Sequence, residues 1–290
     1  MKEYDKYLKL LKEKYPTKQS VYRELINLNA IMNLPKGTEH FMSDLHGEYD
    51  AFYHIINNCS GVIREKVAML YGDELTVYEQ QELCTLIYYP REKLSILMDE
   101  NKVNDEWYRN VLDQLIQIAK LLSSKYTRSK VRKAMPVDFA YIIDELIHAQ
   151  KDEDDNRSVY HRQIMETILS LHNGDEFLVA LTDLIKRLAV DHLHILGDIY
   201  DRGSHADKIL DLLMEHHSVD IQWGNHDILW MGAFCGNPVC MALVVRNNIK
   251  YKTMSILENG YGISLRFLLQ FAVNTSVSYT HLRAHETSLH

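Results

Sequence analysis

The chain has 290 residues, enough for one large domain or two ordinary ones, and its 46% hydrophobic content can fill a sizeable core. A formal net charge of -8 argues against general nucleic-acid binding, which needs a basic face. It leaves room for an anionic substrate, because bound cations make a local positive site inside an acidic protein. The four cysteines form no CxxC pair and fit no zinc spacing, so reduced, mostly buried thiols in a cytoplasmic protein are expected.

Along the chain, the opening MKEYDKYLKLLKEKYP mixes charge and apolar groups and lacks the apolar centre of a signal peptide. No run approaches the ~18 apolar residues of a membrane span. Residues Ser20 to Met32 read as a helix with Tyr22, Leu25, Ile26 and Met32 on one face. His40 to Ser43 is a strand candidate, followed by a helix from about Glu48 to Asn58 with Gly61 as a stop signal. The strongest helical pattern is Tyr108, Val111, Leu112, Leu115, Ile118, Ala119 and Leu122, whose spacing puts all seven side chains on one stripe.

Further helices are expected over Phe139 to Ala149, Tyr160 to His172 and Asp175 to Val190. The run Lys151 to Arg157, KDEDDNR, reads as an exposed loop; as a metal loop it lacks the glycine of a Ca2+-binding loop. His192 to Leu196 and Val219 to Trp223 are further strands, with a helix between them whose apolar face is Ile209, Leu212 and Leu213. Each of the three strands runs straight into a polar motif, the layout of an α/β sheet whose strand ends carry a ligand site.

The first motif, Ser43-Asp44-Leu45-His46-Gly47, offers a hard oxygen and an imidazole nitrogen two residues apart, a mixture that suits Mn2+, Fe or Zn2+. Alone it is a weak signal and reads more readily as a helix-capping aspartate with an incidental histidine. The second, Gly197-Asp198-Ile199-Tyr200-Asp201-Arg202-Gly203, brings two carboxylates, a planar guanidinium suited to phosphate, and glycines that let the backbone turn sharply. The alternative there is a structural turn with an Asp-Arg ion pair. The third, Gly224-Asn225-His226-Asp227, supplies a neutral carbonyl ligand and a histidine free to act on a substrate, or else a turn with a helix cap. Asp227 either orients a loop or caps the following helix. His192 and His194 share a strand face and read as packing or hydrogen-bonded groups, and His205, His216 and His217 as surface residues.

Together the three motifs resemble the calcineurin-like metallophosphoesterases. The wider text, FMSDLHGEYDAF at Phe41 to Phe52, HILGDIYDRGSHADKILD at His194 to Asp211 and QWGNHDILWMGAFCGN at Gln222 to Asn237, is similar to the class 3 fructose-1,6-bisphosphatases of bacteria. The 154 positions from Asp44 to Asp198, against about 30 for one βαβ unit, favour this narrower group. The resemblance implies an α/β fold, an incomplete calcineurin-like sandwich over residues 1–275 with a helical insertion at about 65–188. It implies hydrolysis of fructose 1,6-bisphosphate to fructose 6-phosphate and phosphate, a gluconeogenic step, by a water activated by two metals, Mn2+ first among them.

Asp44, His46, Asp198 and Asn225 would hold the metals, with Asp198 shared. His226 would be the general acid, Asp201 its orienting partner, and Arg202 the clamp on the phosphoryl oxygens. The implied partner is a small sugar bisphosphate, with neither nucleic acid nor membrane, and self-association left open. Such enzymes take further histidines after the third motif, yet none lies between Asp227 and Ser276. Residues 276–290, with His281, His285 and His290, look unlike the family and are expected to be an artefactual, disordered tail. The chain by itself is therefore expected to be inactive or nearly so. Two other readings stand beside this one: a protein or dinucleotide phosphatase with the same core, and a non-catalytic helical interaction module that keeps the motifs.

Overall fold

The computed structural model describes residues 2–149 and 155–275. In chain order the elements are α1 (Lys2–Lys14), α2 (Lys18–Met32), β1 (Glu39–Met42), α3 (Tyr49–Asn58), α4 (Val62–Tyr71), α5 (Val77–Tyr88), α6 (Pro90–Asp99), α7 (Asp105–Ser123), α8 (Arg128–Ala134), α9 (Ala140–Ile147), α10 (Asp155–Ser170), α11 (Gly174–Ala189), β2 (His192–Ile195), α12 (Ala206–Glu215), β3 (Val219–Ile221), α13 (Asn225–Phe234), α14 (Pro238–Tyr251) and α15 (Arg266–Thr275). The fold is mostly helical with a small sheet, consistent with the α/β class. Two compact units emerge: one of residues up to Glu39 together with Asn57–His192, the other of His40–Ile56 together with the residues from Leu193 on.

The helical unit is organised by α7 packed on α11. The expected α7 stripe is buried, with Leu112, Leu115, Ile118, Ala119 and Leu122 fully inaccessible. Facing it, α11 buries Phe177, Leu178, Leu181, Leu184 and Ile185 at helical spacing. Each such side chain contributes about 1.5–3 kcal/mol on leaving water. The starts of these helices follow side-chain capping rules. Asn104 accepts from the Trp107 N–H at the head of α7, and Thr76 and Glu79 form a reciprocal capping box on α5.

One expected helix face proves open to solvent, and two expectations change. The Tyr22–Leu25–Ile26–Met32 face of α2 forms but is not buried; Ile26 is 69% and Met32 82% exposed. The charged run expected as a loop is already helical from Asp155, while 151–154 lie outside the described residues. Only Cys59 and Cys84 are buried, Cys235 is exposed and Cys240 half-buried, though all four thiols are free. Burial pushes the Cys59 thiol up to about 12, which makes it a poor nucleophile. The tail 276–290, with its three histidines, also falls outside the described residues.

The second unit carries a three-stranded sheet in the order β1-β2-β3. β2 and β3 are parallel, with Leu193 opposite Val219 and Ile195 opposite Ile221. Between β1 and β2 the partners rise together: Leu196 donates to Met42 O at 2.7 Å, and Asp44 to Gly197 O at 3.2 Å. All three motifs therefore leave the sheet at one end. Under the sheet, Leu45, Phe52, Leu193, Ile195, Ile199, Ile209 and Leu213 form a separate core. His194 behaves as expected of a packed strand histidine, bonded to Asp220 at 2.8 Å and stacked on Phe41. Among the described residues no helix is long and apolar enough to cross a membrane.

The contrast between the α7 core and the open α2 face is measurable. Leu115→Ala should lower unfolding stability by about 2–5 kcal/mol in chemical denaturation. Leu25→Ala on the exposed face should stay within about 0.5 kcal/mol. Equal losses would contradict the burial described.

Candidate metal and phosphate site

The site grows from three strand-end loops, the first two held in uncommon backbone conformations. Asp44, His46 and Asp198 sit at φ 55°, 48° and 54°, the left-handed region. Side chains enter that region at a cost of roughly 1–3 kcal/mol each, and such residues persist only where the surroundings hold them. What holds them is a set of backbone bonds between the loops. His46 N–H donates to Asp198 O at 2.9 Å, Gly47 N–H to Ile199 O at 2.8 Å, and Gly203 N–H to His46 O at 2.5 Å. The first two motifs thus cross main chain on main chain, and the crossing needs glycine on both sides: a Cβ on Gly47 would meet the Gly203 carbonyl, and one on Gly203 the backbone of Gly47. Likewise a Cβ on Gly224 would collide with the Asp198 carboxylate and amide.

The buried carboxylate of Asp227, 1% exposed, ties the third motif to the second. Its Oδ2 accepts from the N–H groups of Asp198 at 2.7 Å and Gly224 at 2.9 Å, and its Oδ1 from Ile199 at 2.9 Å and Tyr200 at 3.1 Å. Asp227 therefore does both things the sequence left open, since it caps its own helix and orients the neighbouring loop. In return, Asp198 Oδ1 accepts from the His226 N–H at 3.2 Å, at the head of α13.

Ligand atoms of Asp44, His46 and Asp198 lie within 4.8 Å of one another. Two carboxylates and an imidazole form a mixed oxygen and nitrogen donor set that fits a divalent first-row cation. Asn225 opens α13 beside Gly224 with its side chain exposed. The His226 ring faces the His46 ring edge-on at 6.5 Å. Asp201, its side chain only 3% exposed, points Oδ1 at His226 Nδ1 from 3.4 Å and accepts from Arg202 Nε on Oδ2 at 3.1 Å. The Arg202 side chain is 66% exposed, which leaves its outer nitrogens available, and it lies over the Tyr251 ring at 5.9 Å. It lines a cleft of 370 Å³ together with Asp44 and His46.

Sequence reasoning did not reach the aromatic cluster behind this loop. Tyr200 is buried, stacks on Trp230 of α13 at 4.4 Å and shares a 2.5 Å hydroxyl contact with Tyr261. The spacing of Tyr200 inside the motif gave no signal for a partner 61 positions away.

Acids, histidines and an exposed guanidinium gathered at the strand ends form a candidate site for a metal ion and a phosphate group. The chain belongs to the Firmicute fructose-1,6-bisphosphatase family, whose profile matches residues 6–285. It is 53% identical over 284 residues to the fructose-1,6-bisphosphatase class 3 of Clostridium beijerinckii, covering 94% of this chain and 43% of that protein. It is 55% identical over 267 residues to the protein so named in Listeria monocytogenes, and 53% over 269 residues to that of Clostridium acetobutylicum. The chain thus spans about two fifths of the length of these curated relatives, and no solved structure matches it.

Removing the Asp227 carboxylate should uncouple the motifs. Asp227→Ala strands four N–H donors and should cost at least about 3 kcal/mol in stability. Hydrogen exchange should then show the Ile199 and Tyr200 amides losing protection before those of α12. Unchanged protection would show that the loop does not depend on this carboxylate.

Proposed function

We propose that the full-length protein carrying these residues hydrolyses fructose 1,6-bisphosphate to fructose 6-phosphate and phosphate, acting as a phosphoric monoester hydrolase in gluconeogenesis. The observation that carries this reading is the adjacency of an Asp201–His226 pair and an exposed Arg202 to the Asp44, His46 and Asp198 donors. The names of relatives at 53–55% identity point the same way. On this reading the fold is the calcineurin-like sandwich over 1–275, and residues of about 65–188, the larger part of the helical unit, are an insertion in it. The location is cytoplasmic.

Asp44, His46, Asp198 and Asn225 would hold divalent cations, with Mn2+ as the first choice for a set of carboxylate, amide and imidazole donors. When bound, the cations supply an activated water and stabilise charge on the transferring phosphoryl group. The protein's own groups then divide the remaining work. Arg202, anchored through Nε by Asp201, presents its outer nitrogens to phosphoryl oxygens as a planar fork. His226 would supply the proton that the departing sugar oxygen needs, and the Asp201 carboxylate, 3.4 Å from its Nδ1, would orient the ring. The 370 Å³ cleft is large enough for a sugar phosphate and open enough for product to leave.

In a full-length protein with these residues, His226→Ala should lower turnover of fructose 1,6-bisphosphate by roughly 10²–10⁴-fold, as for loss of a general acid. A drop below tenfold would remove His226 from the chemistry. Exhaustive chelation should abolish phosphate release and Mn2+ should restore it; activity that survives chelation would refute the metal role.

A further inference from the structure

The loop that carries Asp198 and Asp201 is gripped twice. Its backbone is held by Asp227, and its aromatic side chain, Tyr200, enters an aromatic cluster that the proposed chemistry does not use. The Tyr200 ring is 9% exposed and lies nearly flat on Trp230, at 4.4 Å and 22°. Trp230 belongs to α13, the helix headed by Asn225 and His226, and is also 5.5 Å from the Tyr261 ring. Tyr261 follows a π-helical turn at Ile256–Gly260 and closes it with an N–H bond to Ile256 O at 3.0 Å.

The hydroxyls of Tyr200 and Tyr261 meet at 2.5 Å. This bond closes across the Tyr200–Trp230–Tyr261 ring stack, so Tyr200 is held by both its hydroxyl and its ring face. Asp207 of α12 stands against Gly260, and its Oδ1 is buried without a hydrogen-bond partner. Tyr200 is buried while Tyr261 is 42% exposed, so the loss of the bond falls on the Tyr200 hydroxyl, the one the protein encloses.

We propose that Tyr261 is a positioning residue for the metal site: through its hydroxyl it fixes Tyr200, and through Tyr200 the loop that presents Asp198 to the cations and Asp201 to His226. Tyr200 lies two residues after Asp198 and directly before Asp201, so a reoriented ring displaces both carboxylates. Trp230 makes the same ring a spacer between this loop and the helix of His226. The inference rests on the metal reading of the site.

The test is calorimetric titration of the 290-residue chain with Mn2+, comparing wild type with Tyr261→Phe, Tyr200→Phe and the double variant. Each substitution keeps the ring and removes only the hydroxyl. Tyr261→Phe should weaken Mn2+ binding about tenfold, the scale seen when groups behind metal ligands are altered. The double variant should be no weaker than either single one, because both break the same bond. Ile143→Val in the helical unit serves as control: it lowers thermal stability and should leave Mn2+ affinity unchanged. Wild-type affinity in Tyr261→Phe, or strict additivity in the double variant, would overturn the positioning role while leaving the metal reading intact. A wild-type chain that binds no Mn2+ would remove the metal reading and the proposal together.

Discussion

Four backbone N–H groups converge on the carboxylate of Asp227, and the rest of the site depends on that convergence. A carboxylate buried to 1% exposure is tolerable only when its oxygens are fully bonded. Here the donors come from two segments far apart in sequence, the turn after β2 and the turn after β3. Neither turn reaches its observed conformation alone. Asp198 stands in the left-handed region, a cost that its N–H bond to Asp227 offsets. The same carboxylate stops the backbone at the head of α13, so the loop bearing Asp198 and the helix bearing His226 are placed by one group.

Around this point the first motif is added by main-chain contact. Gly47 and Gly203 let two turns cross at hydrogen-bonding distance, which puts Asp44 and His46 beside Asp198 across the β1–β2 pair. The crossing explains why a DxH tripeptide, weak evidence by itself, gains weight in this fold. Its side chains are aimed by the next strand's loop rather than by its own. Arg202 follows from the same geometry, since its Nε bond to Asp201 leaves the fork facing the cleft that Asp44 and His46 line.

Much of this was legible in the sequence, for identifiable reasons. The α7 stripe was read residue by residue because its apolar period is unbroken from Val111 to Leu122. The strand ends were read because short apolar runs stop abruptly at Asp44, Gly197 and Gly224. Helices α4, α5 and α6 were not resolved individually, because they bury few positions each and are divided by the turns at Gly72 and Pro90. The face of α2 shows the converse: helical period predicts a helix, yet says nothing about whether a partner covers it. Within the site, residue types and order were visible, and left-handed backbones were not, since Asp44, His46 and Asp198 are not glycines. The two readings of Asp227 could not be separated from sequence because an acid at the third position of a helix reaches its own cap and any loop lying beside it. Tyr200 and Tyr261 meet only through the tertiary fold.

The central claim is that the loops after β1 and β2, the second of them held by Asp227 from the loop after β3, converge to make one cation site on this chain. Its most direct test is anomalous diffraction at the manganese edge from crystals grown with Mn2+. The account predicts the strongest peak within bonding distance of Asp44, His46 and Asp198. A strongest peak elsewhere, with those three side chains directed away from one another, would contradict it.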